Sequence, residues 1–407
     1  MAFPVPLSIL AQQMRPSPIR ELFKVIQRPG MISLAGGLPD PAAFPVSEFA
    51  ACGEVLERLG TTALQYGATE GYGPLVEVLR ERMGVFLGRP VAAEQVLVTT
   101  GSQQAMDLLA RALLDPGDVV VVEAPTYPGA LHTFRNVGAR FAVVPCDGDG
   151  MVVDALPAVL DACRRETGRL PRLIYTIINF SNPSGACLVA DRRRALADIA
   201  ASHGIPIFED DPYGDLRYEG EAIPPLFRET DGGVVYASSF SKILAPGVRV
   251  AWVVGDTPLV RAMAVVKQGA DLCTSVVAQA LVTEYCQRGH LDPHIRRMCA
   301  HYACKRRALS DALRRHLPAG LARWHDPEGG FFHWLELPGQ DSDRLFDRAL
   351  DAGVAFLPGR HFFPDPAETV GPAVDGRPFA RLCFTFATPE QLDQGAQRLG
   401  AALVASP

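Results

Sequence analysis

Short runs of apolar and β-branched residues alternate with helical patterns through the middle of the chain. The runs are Val96–Thr99, Val119–Val122, Leu173–Ile178, Ile205–Phe208, Val234–Ala237 and Val248–Val254. Continuous apolar runs of this length suit strands that are buried on both faces, as in a parallel sheet covered by helices. The stretches Ser102–Leu114 and Asp191–His203 have the length and amphipathic spacing of such helices. The pattern predicts an α/β fold with a mainly parallel sheet flanked by helices.

After about Ser275 the pattern changes to long helices rich in Arg, His and Leu, followed by short strands and a closing helix from about Pro389. The short strands are expected around Gly329–Leu337, Val354–Leu357 and Arg381–Phe386. A chain of 407 residues is long enough for two domains. We therefore predict an N-terminal arm at 1–45 that packs on the small domain, a large domain at 46–290 and a small α+β domain at 291–407.

Composition, net charge and the N-terminal sequence argue against several classes of protein. Hydrophobic residues make up 48% and charged residues 21%, which is typical of a globular protein, and the net charge of −6 argues against nucleic-acid binding. The nine cysteines are scattered and never spaced as C-x-x-C, which indicates reduced thiols in the cytoplasm. The N-terminal MAFPVPLSILAQQ lacks a basic start and is interrupted by prolines, so neither a signal peptide nor a membrane span is expected.

Polar residues gather where three successive predicted strands end. The first strand leads to Asn182, the second to Asp210, Asp211 and Tyr213, and the third to Ser239, Ser241 and Lys242. In an open parallel sheet, ligands bind outside the carboxyl ends of the strands. We therefore expect an amide, a carboxylate with a tyrosine, and a lysine with serines to meet at one edge of the sheet.

Together and in this order, these residues resemble the fold type I, class I/II aminotransferases that depend on pyridoxal 5′-phosphate (PLP), in the branch of the 2-aminoadipate and kynurenine enzymes. The resemblance covers nearly the whole chain. Its further motifs are Ser17-Pro18-Ile19-Arg20-Glu21, Ile32-Ser33-Leu34-Ala35-Gly36-Gly37-Leu38-Pro39, Leu64-Gln65-Tyr66-Gly67, Thr100-Gly101-Ser102-Gln103-Gln104-Ala105 and Arg381-Leu382-Cys383-Phe384. It implies an aspartate aminotransferase-like fold.

The resemblance also assigns roles around the PLP ring. The Lys242 amine can form a Schiff base with the PLP aldehyde and, once freed, carry a proton. The pyridine nitrogen needs a carboxylate partner, and the family places it three residues before the tyrosine, which selects Asp210 over Asp211. Asn182 and Tyr213 would donate to the phenolate oxygen of the ring. Tyr127 resembles the stacking aromatic, although a plain core aromatic is the alternative.

A second group of residues is expected around the phosphate. Gly101-Ser102-Gln103 lies where a strand turns into a helix, and free backbone N–H groups there attract anions. Ser239, Ser241 and Arg249 match further cofactor positions of the family. Tyr66 resembles the tyrosine that reaches the phosphate from the other subunit, which implies a homodimer with shared sites.

Substrate recognition is assigned in the same way. Arg381 resembles the arginine that binds the α-carboxylate, since a planar guanidinium suits bidentate recognition. Gly36 and Gly37 match the substrate loop, and Asn182 also faces the substrate. Arg20 matches an N-terminal arginine that meets a distal carboxylate, and the alternative is a solvated helix face. His290, His294 and His301 lack a partner pattern for a metal, so no metal is expected.

The predicted activity is transfer of an amino group from 2-aminoadipate, an aromatic or a branched-chain amino acid to a 2-oxo acid such as 2-oxoglutarate. One departure leaves the reaction type open. The family usually has Pro-Asp-Phe-Gln before the cofactor-facing asparagine, whereas this chain has Ile178-Asn179-Phe180-Ser181. The alternatives are another PLP reaction at Cα or the side chain, and, more remotely, a PLP-sensing regulator. We expect no membrane or nucleic-acid partner.

Overall fold

The computed structural model describes residues 6–8, 11–12, 14, 30–230 and 232–405. The strands are β1 Ile32–Ser33, β2 Val96–Thr99, β3 Val119–Ala124, β4 Arg140–Asp147, β5 Gly150–Met151, β6 Leu173–Thr176, β7 Ile207–Asp210, β8 Val234–Ser239, β9 Ala251–Val254, β10 Phe332–Glu336, β11 Val354–Ala355, β12 Leu357–Pro358, β13 Thr369–Val370 and β14 Phe379–Cys383.

The α-helices are α1 Val46–Ala51, α2 Glu54–Leu59, α3 Gly73–Leu87, α4 Ser102–Leu113, α5 Pro128–Arg135, α6 Leu156–Thr167, α7 Ala190–His203, α8 Phe240–Ile243, α9 Thr257–Ala270, α10 Val276–Gln287, α11 Leu291–His316, α12 Ser342–Asp351 and α13 Pro389–Val404. Short 3₁₀ turns lie at Pro41–Ala43, Gly60–Leu64, Ala93–Gln95, Val153–Ala155, Leu226–Glu229, Pro246–Val248, Gly359–Phe362 and Pro366–Glu368.

The large sheet has the strand order β13-β4-β3-β6-β7-β8-β9-β2, with β5 paired to β4. Its neighbours are parallel from β13 to β8, whereas β9 runs antiparallel to both β8 and β2. Every residue of β3, β6, β7 and β8 is buried. The predicted class, a mainly parallel sheet flanked by helices, is confirmed.

Two apolar layers cover the faces of this sheet. Val121 and Ile174 belong to one core cluster, whereas Val120, Val122 and Leu173 belong to the other. Successive residues of a strand point to opposite faces, so continuous apolar runs are what two covered faces require. Helices supply the other side of each layer. For example, α4 buries Met106 and Leu109 along its amphipathic face, among other residues.

The C-terminal part contains the antiparallel sheet β10-β14-β12, which carries Arg381 on its central strand, and the helices α11 and α13 pack together beside it. The strand β1 pairs in parallel with β11, with Ile32 opposite Val354, so this part of the arm lies on C-terminal structure. The domain boundaries at 45 and 290 stay a prediction. Among the described helices, none has the length and apolar character needed to cross a membrane.

Candidate active site

A cavity of about 250 Å³ lies beyond the carboxyl ends of β6, β7 and β8, between the large sheet and β14. Many of the side chains or glycines singled out from the sequence line it. These are Gly36, Gly37, Ser102, Tyr127, Asn182, Asp210, Tyr213, Lys242 and Arg381. The cavity is also lined by residues to which the sequence analysis assigns no role, namely Leu38, Ile177, Pro212 and Phe332. The strand order thus brings the three strand-end motifs together.

Lys242 lies on α8, the single helical turn that follows β8, and Ser239 caps that turn by accepting a hydrogen bond from Ser241 N at 3.0 Å. Its Nζ donates to the carbonyl oxygen of Gly37 at 2.8 Å. Burial lowers the pKa of Lys242 to about 8, and the positive charge of Arg381 acts in the same direction. An amine with a pKa near neutrality is partly unprotonated at physiological pH, which a nucleophilic lysine requires.

Asp210 is the last residue of β7 and is 2% exposed. One carboxylate oxygen, Oδ2, accepts a hydrogen bond from the Tyr175 hydroxyl at 2.9 Å, whereas the buried Oδ1 has no partner among the described residues. Burial raises the pKa of Asp210 to about 7. An unpartnered buried acceptor of this kind is stabilised by a positively charged N–H donor, as a protonated pyridine ring would provide.

The neighbouring Asp211 is satisfied by the protein itself. Its Oδ1 accepts from Asn179 Nδ2 at 3.0 Å, and its Oδ2 accepts from the Tyr236 hydroxyl at 3.1 Å. Asp211 does not line the cavity, whereas Asp210 does. The geometry therefore favours Asp210 as the carboxylate available to a ligand, which is the choice that the family spacing made.

Aromatic rings and an amide surround the ring position. Tyr127 precedes α5 and lines the cavity, and burial, followed by the Asp210 charge, raises its pKa. Tyr213 is buried with its ring edge-on to Phe332 at 5.9 Å, and burial raises its pKa well above the usual value. Both phenols therefore stay protonated at neutral pH and can donate a hydrogen bond to a ligand. Asn182 reaches the same cavity from the loop after β6.

Arg381 projects from β14 into the cavity and is 2% exposed. Its Nη1 donates to Asn182 Oδ1 at 2.7 Å, and its Nη2 donates to the carbonyl oxygens of Ala35 (2.7 Å) and Gly36. The guanidinium stacks 4.2 Å from the ring centre of Phe332. Its Nε is buried and without a partner among the described residues, so the guanidinium keeps unused donor capacity. Burial lowers the pKa of Arg381 to about 10, which leaves it charged at neutral pH.

A second cluster lies where α4 begins. Gly101 precedes α4 with a φ of 84°, and a Cβ at this position would meet Arg249 Nη2 at 2.0 Å. Only glycine allows both this backbone conformation and this close approach. Arg249 donates to Thr100 O at 3.3 Å and to Ser241 Oγ at 3.5 Å. A guanidinium beside a helix N-terminus and serine hydroxyls is a suitable surrounding for a phosphate dianion.

For three of the predicted site residues, the described structure does not show the predicted side chain at the site. The Gln103 side chain donates to Thr133 Oγ1, so only its backbone remains for a phosphate. Tyr66 is 79% exposed and does not line the cavity of its own chain. Arg20 lies outside the described residues.

The segment Ile178–Ser181, in which this chain departs from the family pattern, contacts neighbouring residues of the protein rather than the cavity. Asn179 accepts from Arg193 Nη2 at 2.8 Å and donates to Asp211, so its amide links two buried charged groups. The Phe180 ring lies 4.7 Å from the guanidinium of Arg217. Neither residue lines the cavity. The departure therefore alters the support beneath the strand-end loops rather than the wall of the cavity.

Sequence reasoning missed the support of Asp210 by Tyr175 and the apolar wall formed by Ile177, Leu38 and Phe332. A tyrosine in a buried strand needs a partner for its hydroxyl, which was the available signal for Tyr175. For Phe332 the sequence contains no comparable signal.

The residues of this site fit PLP. Lys242, the tyrosines and the unpartnered carboxylate oxygen of Asp210 would face the ring. Gly101, Ser239 and the cationic Arg249 would face the phosphate. Comparison with known proteins agrees with this fit. The family model for aminotransferase class I and II matches residues 39–399. An aromatic-amino-acid aminotransferase of Thermococcus litoralis is 40% identical, over 95% of this chain and 91% of the relative.

Two further similarities concern Thermus thermophilus. A 2-aminoadipate transaminase of that organism is 42% identical, over 97% of this chain and 95% of the relative. The crystal structure of an alpha-aminoadipate aminotransferase from the same species, complexed with N-(5′-phosphopyridoxyl)-L-leucine, has a TM-score of 0.87 and 38% identity. That similarity covers 98% of this chain and 97% of the solved chain.

Proposed function

Because this chain belongs to the class I and II aminotransferases and is a PLP-dependent transaminase, we propose that its donor is 2-aminoadipate, an aromatic or a branched-chain amino acid, and that its acceptor is 2-oxoglutarate. The observation that carries this proposal is a cavity in which the buried Arg381 guanidinium lies together with the apolar side chains of Leu38 and Phe332. Transamination agrees with the names of the relatives, whereas no described residue favours another PLP reaction.

When bound, PLP withdraws electrons from the substrate Cα and so weakens the bonds to that carbon. Asp210 would hold the ring nitrogen in its protonated form through the carboxylate oxygen that has no partner. Tyr213 and Asn182 would donate to the ring oxygen, and Tyr127 would lie against the ring. The backbone of Gly101, Ser102 and Gln103 would bind the phosphate together with Ser239, Ser241 and Arg249.

Lys242 is the group that moves the proton. Its Nζ lies in the cavity, and a lowered pKa of about 8 lets it both accept a proton from the substrate Cα and return one. Its present hydrogen bond to Gly37 O points the amine toward the substrate loop. A base whose pKa lies near the working pH is the most effective proton carrier, and burial brings the pKa of Lys242 toward neutrality.

Arg381 would bind the α-carboxylate, which the donor and the acceptor share. It is held in place by Asn182 and by the carbonyl oxygens of Ala35 and Gly36. Leu38 and Phe332 line the space beyond and suit an aromatic or aliphatic side chain. We assign the distal carboxylate of diacid substrates to Arg20 on the family resemblance.

We further infer a homodimer with shared active sites that acts in the cytoplasm. Tyr66 is exposed beside Leu64, which is 80% exposed, and a partner subunit would cover both side chains. All nine cysteines are free thiols, which suits a reducing compartment.

A panel of amino acids tests the donor assignment. The holoenzyme is mixed with each amino acid alone, and conversion of bound PLP to the pyridoxamine form is followed spectroscopically. We expect L-2-aminoadipate, L-phenylalanine and L-leucine to convert the cofactor faster than L-alanine or L-aspartate. Preference for L-alanine or L-aspartate would refute the donor assignment, and failure of 2-oxoglutarate to restore PLP would refute the acceptor.

A further inference from the structure

The substrate loop, residues 35–40, forms one wall of the cavity and is held at four successive carbonyl groups. Arg381 binds the carbonyl oxygens of Ala35 and Gly36, and Lys242 binds that of Gly37. Thr385 Oγ1 donates to the carbonyl oxygen of Leu38 at 2.6 Å. The first three of these bonds come from residues that also face the ligand. The position of the loop during turnover therefore depends on its remaining anchors.

Asp40 is the last residue of the loop and is 8% exposed. Its side chain belongs to a buried ionic cluster. Its carboxylate accepts hydrogen bonds from Lys305 Nζ and from His301 Nε2, the latter at 2.8 Å. Its backbone N–H donates to the Tyr302 hydroxyl at 3.0 Å. All three partners lie on α11, so this helix fixes the C-terminal end of the loop.

Lys305 joins this cluster to the second anchor. It is 5% exposed, and its Nζ also donates to the carbonyl oxygen of Thr385 at 2.7 Å. Thr385 in turn holds Leu38, whose side chain lines the cavity. One buried ammonium group thus connects both anchors of the loop that do not touch the ligand.

We propose that the Asp40–Lys305 pair is a positioning device that holds the substrate loop against Arg381 and thereby sets the affinity for the amino acid. The inference rests on the proposed role of Arg381 in binding the α-carboxylate. The loop carbonyls occupy Nη2 of that guanidinium, so displacement of the loop frees the arginine to turn away. Displacement also moves Leu38 away from the donor side chain. Neither Asp40 nor Lys305 lines the cavity.

Replacing Lys305 by methionine keeps most of the aliphatic side chain and removes the charge. Because the loop loses charged hydrogen bonds, we expect KM for L-phenylalanine and L-2-aminoadipate to rise roughly tenfold, with kcat changed less than about threefold. Asp40→Asn keeps the shape of the side chain and should give a smaller change in the same direction. The double variant should be no worse than Lys305→Met, since the two groups act as one unit.

Arg306→Met is the matched control. Arg306 is the next residue of α11, is 5% exposed and pairs with Glu219, which lies outside the substrate loop. Its loss should lower stability without raising KM. If Arg306→Met raises KM as much as Lys305→Met does, the effect is general destabilisation of α11 and the proposal is wrong.

Hydrogen exchange of the holoenzyme provides a readout that does not depend on turnover. Peptides covering residues 35–44 should exchange faster in Lys305→Met and Asp40→Asn than in the wild type and Arg306→Met. Unchanged exchange and unchanged KM in Lys305→Met and Asp40→Asn would overturn the proposal. If only one of these two variants folds, the same result in that variant alone would overturn it. Failure of the wild type to transaminate any donor would instead refute the proposed function and leave the exchange result to decide on the loop.

Discussion

Replacing Asp210 by asparagine should stabilise the enzyme without its cofactor and weaken its binding of the cofactor. The carboxylate is 2% exposed, has one unpartnered oxygen and has its pKa raised to about 7 by burial. The folded apoenzyme therefore holds its proton up to a higher pH than the unfolded chain does. For an acid whose folded-state pKa is raised, stability is lost as pH rises from the unfolded value of about 4 to the folded value of about 7.

The size of the effect follows from the shift. Each pKa unit corresponds to about 1.4 kcal/mol, so ionised Asp210 costs the apoenzyme up to about 4 kcal/mol at pH 7 and above. Asparagine removes the charge but adds an amide N–H₂ group that needs a partner, which reduces the gain to about 1–3 kcal/mol. The other buried carboxylates are present in both proteins, and their effects largely cancel in the difference.

Urea unfolding of the apoenzymes at pH 5, 6, 7 and 8 measures this difference. The advantage of Asp210→Asn in free energy of unfolding should grow from pH 5 to pH 7 and then stay constant. With PLP present the order should reverse, because the ring nitrogen loses its anionic partner. An advantage that does not change with pH, or equal PLP affinity in the two proteins, would refute the reasoning.

Three further predictions concern the phosphate, the dimer and the diacid substrates. Gly101→Ala should raise the Kd for PLP roughly ten- to a hundredfold, because the alanine Cβ would meet Arg249 Nη2 and the backbone φ at this position is positive. Unchanged PLP affinity in equilibrium titration would contradict this. Mixed dimers of Tyr66→Phe and Lys242→Ala chains should recover activity above both parents through one intact site, and no recovery would exclude shared sites. Arg20→Ala should lower kcat/KM for 2-oxoglutarate and glutamate roughly ten- to a hundredfold, and steady-state assays showing equal losses for aromatic donors would remove Arg20 from the site.

The strand-end chemistry could be predicted from the sequence because it depends on local order. Asn182, Asp210 and Lys242 each follow a buried apolar run, and parallel strands place such ends at one edge. The family resemblance added Arg381, which lies on a distant strand that no local pattern relates to the cavity. That part of the site needed knowledge of related chains.

Other features depend on contacts that a sequence pattern does not contain. The strand β4 was not predicted, because Pro145 interrupts its apolar run and its last residues leave the core. The antiparallel direction of β9 was also not predicted, since apolar runs do not record strand direction; the short connection 240–250 favours it. The bond between Tyr175 and Asp210 joins two strands, and the ion pair between Asp40 and Lys305 joins residues that are 265 positions apart in the sequence.

The identity of the lysine that carries the cofactor tests the account most directly. The purified holoenzyme should be yellow, and borohydride should remove the visible absorption band. Proteolysis and mass spectrometry should then find the phosphopyridoxyl group on Lys242, and Lys242→Ala should abolish turnover. A colourless protein that does not take up added PLP, a label on another lysine, or full activity in Lys242→Ala would contradict the account.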